Sequence, residues 1–422
     1  MRLATVGAWS ISSISFRVIC GLAINKLLAA SIGPHGLALV GQFQNISQLL
    51  YNLVGATAGS GVVRMTVTCG DDKMQCNQVW KTALGFALAL SLVCAGALFG
   101  LAFTSIPGAV LGRQIGPLVV IALAASIPFY TLMIFVNSVL NGKLDVSSYY
   151  VIGLAQALLQ LVLVAAFSYG GSIYGAMIAF CLTNMAVAVL AFRILLVKPW
   201  FDWKLLRQAP FASSALRDLF HYSVMALSSA LAINLAQISI RTFLMQSLGT
   251  SSAGYWDAII RISTTNWTFI AAAMVFYYVP KLTAAVTRSE VWLEVRHGMS
   301  VIIPAIGLTT LVLYLFRESI VIILFSKSFL PMTELFGWQL AGDVLRVVSW
   351  FYAYLLIARL RAFEYVAIEI GTNLGYAVLV SMLVPQWGLE GAVVAHFIAY
   401  AGLITYIIVR VVTLKFSRHS WL

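Results

Sequence analysis

The sequence predicts an all-α polytopic membrane protein with twelve transmembrane helices, and three observations support this fold class. Of the 422 residues, 61% are hydrophobic and only 9% are charged, whereas a soluble domain carries about 25% charged residues. The mean hydropathy is +0.94. The apolar residues form continuous runs of the length that crosses the hydrocarbon core as a helix, about 20 residues. The pattern excludes a soluble globular protein, a disordered chain and a barrel of short alternating strands.

Short connections with turn residues, such as Gly33-Pro34, join most of the predicted spans. The first run is interpreted as a retained span and not as a cleaved signal segment, because Arg17 and Lys26 lie inside it. The predicted spans are residues 5–30, 36–60, 79–104, 115–140, 146–168, 173–197, 219–248, 252–279, 295–316, 333–358, 362–383 and 390–414.

Lysine and arginine are distributed unevenly between the two sides of the predicted membrane domain. With an even number of spans both termini lie on one side, and the loops of that side carry 18 of the 26 Lys and Arg residues. The loops of the other side carry three, Arg113, Arg317 and Lys327. Because positively charged loops stay in the cytoplasm, both termini are expected to be cytoplasmic. The net charge of +12 therefore indicates topology, and no nucleic-acid partner is expected.

The spans divide six and six around the longest predicted cytoplasmic connection, which suggests two repeats related by a pseudo-twofold axis along the membrane normal. A shift of 216 residues aligns 174–179 with 390–395, Gly33 with Gly249, Tyr149 with Tyr365, and Ser47 with Ser263. Each half also has a short apolar segment after its third span, at 105–113 and 318–330, which is expected at the outer interface. The predicted parts are an N-terminal six-helix bundle (1–197), a cytoplasmic linker (198–218) and a C-terminal six-helix bundle (219–422).

Several ionisable residues lie inside predicted spans, where each costs at least about 2.5 kcal/mol unless it faces water or a partner. The cations are Arg17, Lys26, Arg241, Arg261 and Arg346, and the deep acids are Asp257, Asp343 and Glu369. Helical spacing allows Asp257 to meet Arg261 and Asp343 to meet Arg346, and such pairs could simply neutralise each other. Arg17, Lys26 and Arg241 have no acid within helical reach. This surplus predicts a cationic cavity that binds an anionic group such as a phosphate.

Span 2 carries side-chain amides at helical spacing. Gln44, Gln48 and Asn52 repeat every four residues, and Asn45 and Asn52 are seven apart. Such a stripe can line a hydrophilic pathway for sugars, or it can join helices through hydrogen bonds of about 0.6–2 kcal/mol each. The residues alone leave both readings open.

Motifs for catalysis, nucleotide hydrolysis or metal binding are missing from the sequence, so we expect neither an enzyme nor a cofactor. The five cysteines are scattered, and they are expected to be packing residues. His396 lies deep in span 12, and a hydrogen-bonded core histidine is expected there more than a proton relay. A surface-polysaccharide polymerase or ligase would need a long outer loop, which the predicted topology does not contain.

Three segments resemble the Wzx-type lipid-linked oligosaccharide flippases. Residues 26–38 (KLLAASIGPHGLA) resemble the end of their first span, 279–283 (VPKLT) the exit of their eighth, and 336–346 (FGWQLAGDVLR) their tenth. Of the deep charges, Lys26, Asp343 and Arg346 fall on these matched segments, whereas Arg17, Arg241 and Arg261 rest on their membrane placement alone. Many relatives have a cation in span 2 where this chain has Gln42, Gln44 and Asn45, so the resemblance leaves the substrate's identity open.

The resemblance implies the MOP superfamily fold, two six-helix bundles in a V shape like that of the MATE exporters and lipid II flippases, working by alternating access. It implies transport of an undecaprenyl-pyrophosphate-linked oligosaccharide, lipid III or an O-antigen unit, between leaflets of the bacterial inner membrane. Membrane lipids, and the polymerase and chain-length regulator of the same pathway, are the implied partners. The expected substrate-binding residues are Arg17, Lys26, Arg241, Arg261, Arg346, Gln44, Asn45 and Gln48, and the expected coupling or charge-pair residues are Asp257, Asp343 and Glu369. The alternative is a MATE-like exporter of organic cations, which requires an excess of intramembrane acids.

Overall fold

The computed structural model describes residues 3–70, 72–104, 116–274, 278–285, 287–359 and 361–416, and the regular structure in these ranges is entirely helical. The predicted all-α class is therefore confirmed. Short 3₁₀ turns lie at Ala56–Ala58, Tyr169–Gly171 and Lys327–Leu335. The α-helices are α1 (Leu3–Gly55), α2 (Ser60–Cys69), α3 (Lys73–Leu101), α4 (Pro117–Gly142), α5 (Val146–Phe167), α6 (Ile173–Leu196), α7 (Trp203–Gln208), α8 (Ser213–Ser247), α9 (Thr250–Ala273), α10 (Val279–Ala284), α11 (Arg288–Leu315), α12 (Arg317–Leu324), α13 (Phe336–Ala358), α14 (Ala362–Trp387) and α15 (Glu390–Phe416).

The long helices coincide with the predicted spans when α1 is counted as two. Gly33 (φ 62°, ψ −170°) interrupts α1 in a conformation open essentially to glycine alone, and Pro34 begins the second stretch with its fixed φ. In the part of the chain that the structure describes, nine helices meet the length and composition of a membrane span, with the two stretches of α1 merged into one of them. The predicted outer segment at 105–113 lies outside the described residues, and its counterpart at 318–330 forms α12 and a 3₁₀ turn.

The chain forms two compact units. Unit 1 contains residues 1–32 and 39–234, and unit 2 contains residues 33–38 and 235–422. The first part of the predicted linker packs against α3 of unit 1. Lys81 of α3 donates hydrogen bonds to the carbonyl oxygens of Arg207 (2.7 Å) and Ala209 (2.6 Å) at the end of α7. The lysine thus satisfies acceptors that the helix end leaves open.

Trp80 lies at the centre of the core that joins α2, α3 and α4 in unit 1. Its side chain is 1% exposed, and its indole N–H donates to the Thr66 hydroxyl at 2.9 Å. Next to it, Cys69 and Cys76 form a disulfide with their Cα atoms 5.6 Å apart. The expectation that all five cysteines are packing residues is wrong for this pair. A spacing of seven says little by itself, but α2 ends at Cys69 and α3 begins at Lys73, so the turn between them folds the two thiols together.

The structure supports the 216-residue repeat at glycines. Gly33 and Gly249, one shift apart, both have positive φ, at 62° and 88°. A Cβ on Gly175 would overlap the carbonyl oxygen of Phe167, and a Cβ on Gly391 would lie 2.6 Å from the carbonyl oxygen of Leu383. Phe167 and Leu383 are themselves one shift apart. Both halves therefore close their fifth and sixth spans over a position without a side chain.

We expect Gly175→Ala to destabilise the protein by about 1–3 kcal/mol, because the added methyl forces α5 and α6 apart at a backbone contact. Gly96→Ala is the matched control, since a Cβ there meets nothing within 4 Å. The measurement is the thermal midpoint of the detergent-purified variants. Equal midpoints for Gly175→Ala and wild type would contradict this packing.

Candidate functional site

A cavity of about 440 Å³ lies within unit 1, and four helices contribute to its lining. Each helix presents one face to it. On α5, for example, Tyr149, Gly153, Gln156 and Gln160 are spaced by four, three and four residues, which places them on one side of the helix. Its polar lining consists of Arg17, Ser13, Gln44, Ser47, Gln48, Tyr51, Tyr130, Asn137, Tyr149, Tyr150, Gln156, Gln160, Thr183 and Asn184.

Arg17 is the one charged residue in this lining. Its side chain belongs to an exposed position of α1, and among the described residues no carboxylate lies within ion-pair distance of it. Gly153 on α5 lies beside it, since a Cβ at that position would be in ordinary van der Waals contact, 3.9 Å from both Cδ and Nη1 of Arg17. The guanidinium thus stands in a polar cavity with its charge uncompensated by an acid.

Tyr51 holds one wall of the cavity in place. Its hydroxyl lies 2.7 Å from the Ser126 hydroxyl and accepts a hydrogen bond of 3.2 Å from the Asn184 amide. Its ring stacks on Tyr130 with 4.1 Å between centroids. These contacts fix α1 against α4 and α6, so the wall is organised before any ligand arrives.

The predicted amide stripe of span 2 is divided by the structure. Gln44 and Gln48 line the cavity, whereas Asn45 and Asn52 do not. Gln48 donates a 2.9 Å hydrogen bond to Asn52 within the helix. This bond stays within one helix and joins no second one, so the sugar-pathway role and the helix-joining role of the stripe both stay predictions. Lys26 is half-buried on the same helix and lies outside the cavity lining.

In unit 2, Asp257 binds two arginines. Its Oδ2 accepts from Arg261 Nε at 2.8 Å, as the spacing on α9 predicted, and its Oδ1 pairs with Arg241 of α8. Arg241 is 2% exposed and Asp257 is 3% exposed. The expectation that Arg241 lacks an acid is therefore wrong, because its partner comes from a neighbouring helix and not from its own. One carboxylate facing two guanidinium groups leaves a net charge of +1.

The predicted contact between Asp343 and Arg346 is also wrong. Asp343 is fully buried, and its Oδ1 lies 3.2 Å from His396 Nε2 and 3.3 Å from the Gln339 amide. Gly342 explains why Asp343 meets His396 and not Arg346, since a Cβ on Gly342 would overlap the His396 ring. The missing side chain lets α15 approach, and Asp343 turns towards it. His396 is accordingly a buried, hydrogen-bonded residue, as expected.

Arg346 instead lies among aromatic rings. Its Cζ is 4.7 Å from the Trp267 ring centroid, 5.7 Å from that of Tyr400 and 6.0 Å from that of Trp350, all within the range of cation–π attraction. Together with Glu369 it lines a small cavity of about 30 Å³. The volume is enough for about one water molecule.

The two cavities occupy equivalent places in the two repeats. Tyr130, Ile134, Gly153 and Asn184 line the cavity of unit 1, and a shift of 216 gives Arg346, Trp350, Glu369 and Tyr400, which line the cavity of unit 2. Sequence analysis missed all four residues of the first set, and it also missed Gln156 and Gln160, which line the same cavity. The available signal was the pair Gln156 and Gln160 in the otherwise apolar α5, since amides four residues apart in such a run are costly unless they face water or a partner.

Comparison with known proteins agrees with this architecture. No family model matches the chain. The lipid III flippase of Escherichia coli (strain K12) is 27% identical over 412 residues, covering 95% of this chain and 96% of that protein. A multidrug resistance MATE family transporter of the MOP superfamily, solved in an inward-facing conformation, has a TM-score of 0.82 at 16% identity over 95% of this chain and 96% of its own. The lipid II flippase MurJ in an inward closed conformation has a TM-score of 0.73 at 12% identity over 97% and 87%.

The solved structures establish the fold, and the sequence comparison covers nearly all of both chains. The protein therefore has the fold of the MOP superfamily transporters, and its sequence is similar over almost its full length to the lipid III flippase of Escherichia coli.

Proposed function

We propose that the protein is a flippase that moves an undecaprenyl-pyrophosphate-linked oligosaccharide from the inner to the outer leaflet of the bacterial inner membrane. The observation that carries the proposal is the cavity of unit 1, in which Arg17, with no acid partner among the described residues, lies among amides and hydroxyls. The similarity to a lipid III flippase over 95% of the chain supports the same substrate class.

The chemistry of the cavity suits such a head group. The planar guanidinium of Arg17 can bind two phosphate oxygens at once. The amides of Gln44, Gln48, Gln156 and Gln160 can both donate to and accept from sugar hydroxyls. A volume of about 440 Å³ is within the usual range of small-molecule sites, about 300–1,000 Å³. The polyprenyl chain would stay in the lipid while alternating access carries the head group across.

The other cations have graded roles in this proposal. Arg261 and Arg346 are half-buried and can contact the pyrophosphate in another state of the cycle. Arg241 is too deeply buried for contact, so it is a structural partner of Asp257 that contributes charge. Lys26 likewise adds positive potential, and Asn45 is left out of the contact set. The proposal also places both termini in the cytoplasm, on the basis of the charge pattern of the loops. It includes the polymerase and the chain-length regulator of the same pathway as partners, on the basis of family resemblance.

An exporter of organic cations fits the cavity less well. A cationic drug requires carboxylates, and the described residues that line the unit 1 cavity include Arg17 and no acid. In the equivalent cavity of unit 2 the described acid is Glu369, which shares the lining with Arg346, and the deep acids Asp257 and Asp343 are engaged by arginines and by a histidine.

Depletion of the protein in its host tests the proposal directly. We expect one undecaprenyl-pyrophosphate oligosaccharide to accumulate, because its outer-leaflet consumers lose their supply, and its mass identifies the sugars. The measurement is mass spectrometry of extracted polyprenyl lipids. Unchanged lipid pools together with raised sensitivity to cationic dyes would contradict the flippase proposal and support export of organic cations.

We expect Arg17→Ala to lower transport by about 10- to 100-fold, since charge-assisted hydrogen bonds are worth about 1.5–3 kcal/mol. Arg17→Lys should restore part of the rate, because it keeps the charge and loses the fork. Complementation of a depleted strain, scored by lipid accumulation, is the readout. Arg193→Ala, at an exposed arginine in the last turn of α6, is the control. Full complementation by Arg17→Ala would remove Arg17 from the site.

Asp257→Asn is expected to impair folding, because it leaves two guanidinium groups without a counter-charge at a cost of about 3–5 kcal/mol. The combined variant Asp257→Asn, Arg241→Met removes one of those charges and should recover much of the folded yield. The folded fraction is measured by size-exclusion chromatography in detergent. A stable Asp257→Asn protein that fails to transport would instead assign Asp257 to the transport cycle.

A further inference from the structure

A groove of about 480 Å³ opens at one end of unit 2. It lies where α11 ends and where α13 and α15 begin, and it shares no lining residue with the small cavity of unit 2. This end is opposite the cation-rich loops, so the charge pattern of the sequence predicts that it faces outward. The groove is lined by Tyr314, Arg317, Thr333, Glu334, Gly337, Trp338, Ala341 and Glu390.

The groove is lined by two small residues between two aromatic rings. Gly337 and Ala341 are four residues apart on α13 and therefore share a face. A Cβ on Gly337 would already touch the Tyr314 ring at 3.8 Å. Trp338 and Tyr314 are 41% and 42% exposed, which leaves ring surface available to a ligand.

The polar groups around the rings are held in place by the protein. The Trp338 indole N–H donates to Glu390 Oε1 of α15 at 3.1 Å, and its ring packs against Phe397 with 5.3 Å between centroids. Arg317 donates to the Tyr314 carbonyl at 3.0 Å, with its Cζ 4.7 Å from the Tyr314 ring centroid. A tryptophan that only anchors the protein at the membrane interface directs its N–H to water or head groups, whereas this one is bound by a carboxylate from another helix.

Exposed rings flanked by the oriented carboxylate of Glu390, the carboxylate of Glu334 and a guanidinium match the chemistry of a sugar. The C–H faces of a pyranose can pack on the rings, its hydroxyls can donate to Glu334 and Glu390, and its oxygens can accept from Arg317. Arg317 offsets one of the two carboxylates, which weakens the groove as a site for a cation.

We infer that this groove is a second carbohydrate-binding site, which holds the oligosaccharide part of the head group at the outer end of unit 2. The inference rests on the proposed function for the origin of the sugar, but the binding chemistry can be tested without transport. A site here retains the head group after the unit 1 cavity has released it, so the return of the substrate is opposed.

The test is saturation-transfer NMR on the full-length protein in lipid nanodiscs, with N,N′-diacetylchitobiose as the probe. We expect a signal from wild type that falls by about tenfold in Trp338→Ala, as loss of one stacking surface predicts. Glu390→Gln should lower the signal by a smaller factor, since it removes an acceptor charge and leaves the ring. Trp292→Ala is the matched control, because Trp292 is 42% exposed and lies on the other end of α11.

The outcomes separate the site from the transport proposal. A signal kept in Trp292→Ala and lost in Trp338→Ala supports the groove whatever depletion does to the lipid pools. A signal of equal size in Trp338→Ala and wild type, or none in either, overturns the site and leaves the flippase proposal standing. Competition by tetraphenylphosphonium with no response to the disaccharide also overturns it, in favour of a cation site.

Discussion

Charge inside a helical bundle has to be paired or face water, and Asp257 meets this constraint for two arginines at once. The pair with Arg241 joins α8 to α9, and the pair with Arg261 fixes the side-chain face of α9. The residue before Asp257, Trp256, packs against Arg241, with 5.5 Å between the Arg241 Cζ and the Trp256 ring centroid. The Trp256 indole N–H donates to the Tyr376 hydroxyl at 3.3 Å. The packing of α8 on α9 thus depends on one carboxylate, because its loss would leave one buried and one half-buried guanidinium without a counter-charge.

The repeat explains why the two halves can differ in chemistry without differing in fold. Backbone contacts are kept at equivalent glycines, Gly175 and Gly391, so the helices pack alike. Side chains that line the equivalent cavities are free to diverge, since they face space and not the core. In unit 1 Gly153 lies beside Arg17, and in unit 2 the equivalent position is Glu369, which lines a cavity with Arg346. The cavity of unit 1 is wide and polar, whereas the cavity of unit 2 is narrow and charged.

Much of this architecture could be predicted from the sequence, because the bilayer imposes one length on every span and hydropathy reports it directly. Contacts within one helix were partly accessible in the same way, as the pair of Asp257 and Arg261 illustrates. Contacts between helices were not. Neither the Arg241 pair nor the approach of His396 to Asp343 has a fixed spacing in sequence, since each depends on how two helices pack.

Those interhelical contacts also narrow the choice of residue for ion coupling, which the sequence left among three acids. Asp257 is held by two guanidinium groups, and Asp343 is buried against His396 and Gln339, so a change of protonation at either would disturb the fold. Glu369 differs, because it lines a small cavity with Arg346 and its recorded hydrogen bonds come from Asn373 of its own helix. Of the three acids, Glu369 is thus the one that lines a cavity beside an arginine and that, among the described residues, accepts no hydrogen bond from a guanidinium or an imidazole.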